Sequence, residues 1–294
     1  MSEFLNLLAA GLTSGAIYGI FGACLAVWFR VCNVLNLAVG DFAMIGAMGT
    51  AEIVQQAHFP FALGALVVVA AAGAIAWVFD RLVLHFAFDT RPGGHGIVGV
   101  FFYTLGLSLV LEGLARAIFG TDVQGAPAIW PGPALTIADF HLQRAGVLVI
   151  ALAIVSGLGL WAYLRFTVSG RAASACGESV LGSRIVGIDS ALFRRRIFVM
   201  TAVLAALFGI VESPLTGYTY MSGPTISLIG VVAAGFAAFR KPGRAVVAGL
   251  AIGVVEAMLG GYVSTAYNDV LLYAILFGII IFRPEVLGLS TAAA

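Results

Sequence analysis

Residues 4–29 read FLNLLAAGLTSGAIYGIFGACLAVWF, an unbroken run without a charged side chain. At about 1.5 Å of rise per residue, roughly 20 apolar residues cross the hydrocarbon of a bilayer. The run is long enough to be a membrane helix. Gly11, Gly15 and Gly19 lie on one face of it at four-residue spacing, and Gly249 and Gly253 repeat the spacing late in the chain. Small residues so placed let two helices approach closely in lipid.

The rest of the chain has the same character. Of its 294 residues 61% are hydrophobic and 10% charged, with a mean hydropathy of +1.07. A soluble domain carries about 25% charged residues, so a water-soluble fold is excluded. Apolar segments recur at 33–56, 61–79, 97–119, 145–165, 197–212, 225–239, 245–265 and 269–282. The expected fold is an all-α polytopic membrane protein of about eight to nine transmembrane helices, forming one transmembrane domain over residues 1–294. Segments 197–212 and 225–239 are short and flank Pro214, Gly217, Gly223 and Pro224. The chain is therefore expected to be broken or re-entrant near 197–239, which lipid tolerates only where the backbone faces protein or a watery cavity.

Charge placement predicts orientation. Thirteen of the fifteen Lys and Arg, from Arg30 to Arg283, fall at segment ends of one side, and only Arg116 and Arg144 fall on the other. By the positive-inside rule the basic side is cytoplasmic, with the N-terminus outside and the C-terminus inside. The N-terminus has no basic leader region or small-residue cleavage site and reads as a retained first helix. Loop 120–144, stiffened by Pro127, Pro131 and Pro133 around Trp130, then lies outside. Loop 166–196 lies inside, and its Ala172, Ala173, Ala175 and Leu181 favour one or two short helices.

Elimination limits the chemistry. The single lysine, Lys241, is followed by Pro242, so no phosphate-binding G-x-x-x-x-G-K-[ST] loop exists here. His58, His85, His95 and His141 show no metal-ligand spacing, and Cys24, Cys32 and Cys176 no C-x-x-C. The cysteines read as packing residues. Ser156-Gly157 and Ser222-Gly223 are not nucleophile elbows, so no catalytic residue and no metal site are assigned. Asp41, Glu52, Glu112, Glu212 and Glu256 fall within apolar segments, where each charge costs on the order of 3 kcal/mol. Glu112 can pair with Arg116 four residues on. Glu52 and Glu212 lie near outer ends and are read as reaching water there; Asp41 and Glu256 are deeper. They make no relay of the kind a proton-coupled pump needs.

The residues also carry a resemblance. Gly11-Leu12-Thr13-Ser14-Gly15-Ala16-Ile17-Tyr18-Gly19, then Asn36-Leu37-Ala38-Val39-Gly40-Asp41-Phe42-Ala43-Met44, is similar to the N-terminal signature of permeases from branched-chain amino-acid (LivH-like) ABC importers. Similarity continues through Thr104–Ser108 with Phe119-Gly120, Gly170-Arg171-Ala172, Gly187-Ile188, Gly249–Glu256 and the terminal Phe282–Gly288. The resemblance implies a permease domain without a cofactor of its own. ATP and Mg would be bound by two cytoplasmic ATPase subunits, with a second homologous permease and an external or periplasmic solute-binding protein as further partners. It implies a bacterial inner membrane, contact with lipid and none with nucleic acid.

The resemblance makes loop 166–196 the site of ATPase coupling. Leu181-Gly182-Ser183, three residues, then Gly187 keep the family's spacing, although its glutamate and two alanines are absent and Glu178 lies just upstream. Gly170, Arg171, Glu178, Gly182, Ser183, Arg184 and Gly187 are assigned to coupling, and Arg194–Arg196 could meet acidic groups on the ATPase. Tyr18, Asn36, Asp41 and Glu256 are assigned to the translocation path. Leu37, Val39 and Asp41 replace Phe, His and Glu of the signature, which widens the solute from branched-chain amino acids to amides, urea and small organic or aromatic acids. Two alternatives stay open: a stand-alone secondary transporter or channel, and a structural or assembly protein.

Overall fold

The computed structural model describes residues 2–55, 58–86, 95–133, 135–137, 140–237, 239 and 241–264, with scattered positions between 268 and 278. The elements are α1 (Ser2–Cys32), α2 (Val39–Gln55), α3 (Phe61–Phe79) continued by a π turn (Asp80–Leu84), α4 (His95–Phe119), the hairpin β1 (Leu135–Ile137) and β2 (Phe140–Leu142), α5 (Arg144–Phe166), α6 (Val168–Glu178), α7 (Val180–Ile185), α8 (Ser190–Thr216), α9 (Ser222–Phe236) and α10 (Pro242–Tyr262). Among the described residues six helices are long and apolar enough to cross a membrane. The fold is helical, as expected, except for the antiparallel hairpin that pairs Leu135 with Leu142 and Ile137 with Phe140 in loop 120–144. Of the terminal motif 282–288, nothing lies within the described residues.

The glycine repeats form a seam several turns long. A Cβ on Gly15 would stand 2.7 Å from Leu250 Cα, one on Gly11 would stand 2.8 Å from Val254 Cα, and one on Gly249 would meet the Gly19 backbone. Here α1 and α10 touch backbone to backbone, antiparallel. A neighbouring face of α1 carries Phe21, Leu25 and Trp28, all wholly buried, with Trp28 against Phe198 at 5.1 Å between ring centres and Phe21 against Phe208 at 6.4 Å.

The run 33–56 is not helical throughout. Helix α2 begins only at Val39, and its first turns lie beside α8 where Gly46 meets Ala206 and Gly209 meets Ala43. That level is about 22 Å along α8 from Arg194, at 1.5 Å per residue. The turn before α2 is therefore deep in the bundle, and its polar groups need partners. Asn36 Oδ1 accepts from the Ala38 N–H at 3.1 Å. The Ser227 hydroxyl, on α9, accepts from the Gly40 N–H at 2.8 Å and donates to the Leu37 carbonyl at 2.5 Å. Helix α2 is then wrapped by its neighbours, and Val39 through Met44 are all buried.

Segment 197–212 proves longer than expected, because α8 is a continuous helix of 27 residues that contains Pro214. A proline there frees the carbonyl four residues back. The Ser213 hydroxyl takes it up, donating to the Ile210 carbonyl at 3.1 Å. The break falls instead at residues 217–221, where Gly217 adopts φ +65 and α9 then restarts with only 15 residues.

The arginines gather at one end of the bundle, called here the basic end. Two of them are not free for a partner. Arg194 Nε donates to Asp80 Oδ1 and Arg195 Nε to Asp80 Oδ2, both at 2.9 Å, and the Asp80 side chain is wholly buried. Burial takes Arg194 out of reach of an ATPase contact, and with Arg195 it clamps α8 to the π turn after α3. The expected Glu112–Arg116 pair is also replaced, since the Arg116 guanidinium lies 5.5 Å from the centre of the Tyr220 ring.

Gly249→Val should lower the melting temperature of the detergent-solubilised protein by several degrees, since overpacking a closed contact costs about 1–3 kcal/mol or more. Gly106→Ala, whose Cβ would meet nothing within 4 Å, should leave it unchanged or raise it; equal effects from the two would refute a closed seam. Asp80→Asn removes the buried carboxylate that Arg194, 5% exposed, and Arg195 both bind, and breaking a buried ion pair costs about 3–5 kcal/mol. It should be read as a large drop in resistance to thermal unfolding, and a stable variant would count against the clamp.

Candidate functional site

The helix break at 217–221 opens a cavity of about 390 Å³. It is walled by α1 (Ile17, Tyr18, Phe21), the end of α8 (Glu212, Thr216), the break itself (Gly217, Tyr218, Thr219, Met221) and the start of α9 (Ser222, Thr225, Ile226, Ile229). One wall is apolar and the other carries hydroxyls around one carboxylate. A second cavity of about 290 Å³, lined by Asn6, Thr13, Ser14 and Gln143 among others, shares Ile17 and Thr216 with the first. The two adjoin at the end of the bundle opposite the arginines.

Glu212 organises this site. It is 6% exposed, not the water-reaching side chain expected near a helix end, because the chain turns back over it. The Tyr218 hydroxyl donates to Glu212 Oε2 at 2.9 Å, and the Thr216 hydroxyl stands 3.5 Å from Oε1. Tyr218, 1% exposed, is held by loop 120–126. Its N–H donates to the Gln124 carbonyl at 2.7 Å and the Gln124 N–H donates back to the Tyr218 carbonyl at 2.8 Å. The Ala126 N–H is accepted by Ser213 Oγ at 3.0 Å. The proline-rich loop thus buttresses the cavity as well as covering the bundle.

Of the four residues assigned to the path, Tyr18 alone lines the cavity. Asn36, 1% exposed, shapes the turn before α2. Asp41 is wholly buried in the first turn of α2 against Gly223, where a Cβ would press on its carboxylate. It therefore lies beside the first turn of α9, where negative charge is favourable. Glu256 is half-buried on α10. Glu212, Thr216, Tyr218 and Thr225 were not assigned from sequence, yet polar residues at 212, 216, 219, 222 and 225 track one face through the Gly/Pro stretch.

At the basic end, α6 and α7 form the inner-loop helices that were expected. Thr167 and Ser179 cap them, accepting from the Gly170 and Gly182 N–H groups at 2.9 and 3.0 Å. Gly170 is buried against Tyr163 and Leu164, and Gly177 against Arg30, so α6 is seated on α5 and α1. Arg171, Glu178, Gly182, Arg184 and Gly187 are exposed and Ser183 is buried. Gly187, at φ +80, ends α7: its N–H donates to the Arg184 carbonyl and the Ile188 N–H to the Ser183 carbonyl, at 3.1 and 2.9 Å. That pairing is the Schellman arrangement, for which glycine has the required backbone freedom. Leu181, Ile185 and Val186 are left 72%, 78% and 72% exposed.

The family described as "Branched-chain amino acid transport system / permease component" matches residues 7–280. The chain is 24% identical to the high-affinity branched-chain amino acid transport system permease protein LivH of Salmonella typhimurium LT2 and to that of Escherichia coli K12, covering 96% of this chain and 94% of each relative. It is 23% identical to the corresponding BraD protein of Pseudomonas aeruginosa over the same shares. Among solved structures it is similar to "PsaBC from Streptococcus pneumoniae in complex with Fab", with a TM-score of 0.50 and 11% identity over 94% of this chain and 90% of that one.

Tyr218→Phe deletes the short hydrogen bond to Glu212 and leaves the packing. A bond of that kind to a charged group is worth about 1.5–3 kcal/mol, so the variant should melt a few degrees lower while still inserting. An unchanged melting temperature would mean that the pair does not hold the break in place.

Proposed function

The chain belongs to the family of branched-chain amino acid transport system permease components, and from that premise we propose that it is the membrane subunit of an ATP-binding-cassette importer for a small polar solute. The substrate class is a branched-chain amino acid, as named for the relatives, or a related amide, urea or small organic acid. An external solute-binding protein would deliver it to the end bearing the two adjoining cavities. Two cytoplasmic ATPase subunits, which would hold ATP and Mg, would engage the basic end. The chain would supply one permease domain over residues 1–294, paired with a homologous second permease in a bacterial inner membrane.

The observation that carries this reading is α7. Leu181, Ile185 and Val186 stand out at the basic end on a helix of six residues, too short to be stable in water alone. Capped by Ser179 at one end and Gly187 at the other, it presents an apolar knob of the kind that a groove on another protein covers. Arg184 and Glu178 flank it. A secondary transporter or channel acting alone has no use for that surface, nor do the described carboxylates form a relay.

Orientation follows from charge. With the basic end in the cytoplasm, the N-terminus is outside and the C-terminus inside. Besides the six long helices, residues 33–55, α9 and the helical positions between 268 and 278 support a total of nine passes. The pair α8 and α9 then counts as two passes, the second begun below the surface at the break.

Leu181→Glu should abolish coupling without removing the chain from the membrane. In the reconstituted importer, solute uptake should fall at least tenfold and ATP hydrolysis should no longer respond to the loaded binding protein. Uptake that stays at the wild-type level, or that persists in ATP-depleted vesicles holding an ion gradient, would overturn the importer reading.

A further inference from the structure

We propose that Glu212 is a charge filter of the translocation path, making the cavity at the helix break selective for solutes that offer a positive charge or N–H donors and unfavourable to net anions. The inference rests on reading that cavity as part of the solute route. Glu212 is the one ionisable acid in its wall, and neither a lysine nor an arginine lines it. Arg116 is turned onto Tyr220, which is not part of the lining.

The hydrogen bonding leaves the carboxylate with capacity to spare. Tyr218 satisfies Oε2, while Oε1 has only the long contact with Thr216, so acceptor sites of the ionised group remain for a donor arriving from the cavity. The other polar groups of the wall are hydroxyls, which serve a donor or an acceptor equally. The first turn of α9 also lies in the wall and favours negative charge, but the buried Asp41 carboxylate already stands against that turn at Gly223, which leaves Glu212 to set the sign of the preference. In a site walled on the other side by Ile17, Phe21, Ile226 and Ile229, a fixed charge acts with little screening. A solute with an ammonium or amide end and an apolar end matches both walls. Small organic and aromatic acids, which carry only negative charge, do not.

Thr225→Cys provides a probe that needs no knowledge of the solute. Thr225 is exposed in the cavity wall on the first turn of α9, and native Cys24, Cys32 and Cys176 are buried. Membranes holding full-length T225C would be treated with a cationic ethylammonium or an anionic ethylsulfonate methanethiosulfonate, each rate being divided by its rate with a free thiol in solution. The expected result is a bias of at least tenfold toward the cationic reagent, falling to near one in the T225C/E212Q double variant. A bias absent in T225C, or undiminished by E212Q, overturns the filter and leaves the path intact. Labelling by neither reagent shows a cavity closed to water and removes the path reading, and the filter with it.

Discussion

In lipid no water is available to a broken backbone, and among the described residues the helices are broken twice inside the bundle. The turn before α2 and the return between α8 and α9 both expose N–H and C=O groups that must find protein partners. One hydroxyl meets much of the need: Ser227, on α9, accepts from Gly40 and donates to Leu37, so the second broken helix repairs the first. That joint requires Gly40 to touch the first turn of α9, where any side chain would strike the Gly223 carbonyl. It also fixes where α9 begins, and so where the cavity lies. The break is stable because α2 is at the centre of the bundle and not on its surface.

Close contact is distributed unevenly. The α1–α10 seam and the crossing of α2 on α8 are both glycine contacts of backbone on backbone, but the first runs along several turns and the second is a single crossing at Gly46 and Gly209. An extended seam resists sliding because each residue must clear its partner together with the rest. A crossing at one point allows rotation about that point. The geometry therefore suits a rigid pair, α1 and α10, beside which α8 can pivot on α2.

Much of this was legible in the residues. Gly11, Gly15 and Gly19, and likewise Gly249 and Gly253, mark faces fit for close helix contact, since helical periodicity puts each set on one side; that the two sets meet each other is seen only in the structure. The inner-loop helices follow from Ala172, Ala173, Ala175 and Leu181, good helix formers; their Thr167 and Ser179 caps emerge only in the structure. What could not be read depended on which segments meet. Asp80 ends an apolar run and looks like a helix terminus at the membrane surface; only the approach of α8 makes it the buried partner of Arg194 and Arg195. Glu212 likewise looks like an end residue until residues 217–221 fold back above it. Asn36 looks like a path residue because it is polar in an apolar run, yet the polar demand it answers is the backbone's own, the Ala38 N–H.

The two ends of the protein are joined by one element. Helix α8 leaves the α7 knob through the turn at residues 186–189, is clamped at Arg194 and Arg195, and reaches Glu212 after eighteen residues, about 27 Å of unbroken helix. Were the helix interrupted within that length, a displacement at α7 would dissipate in the gap; the Ser213 bond that preserves its turn at Pro214 keeps it continuous to the cavity wall. On the proposed reading, an ATPase that pushes α7 moves Asp80's two arginines first. The buried ion cluster has a small number of satisfactory geometries, so the motion is better accommodated by a rigid shift of α8 with α3's π turn than by bending within either. At the far end that shift moves Glu212 relative to Tyr18 on the seam-locked α1. The same translation that opens one side of the cavity would then withdraw the carboxylate from the solute it holds, coupling release to the stroke without any contact between ATP and the path.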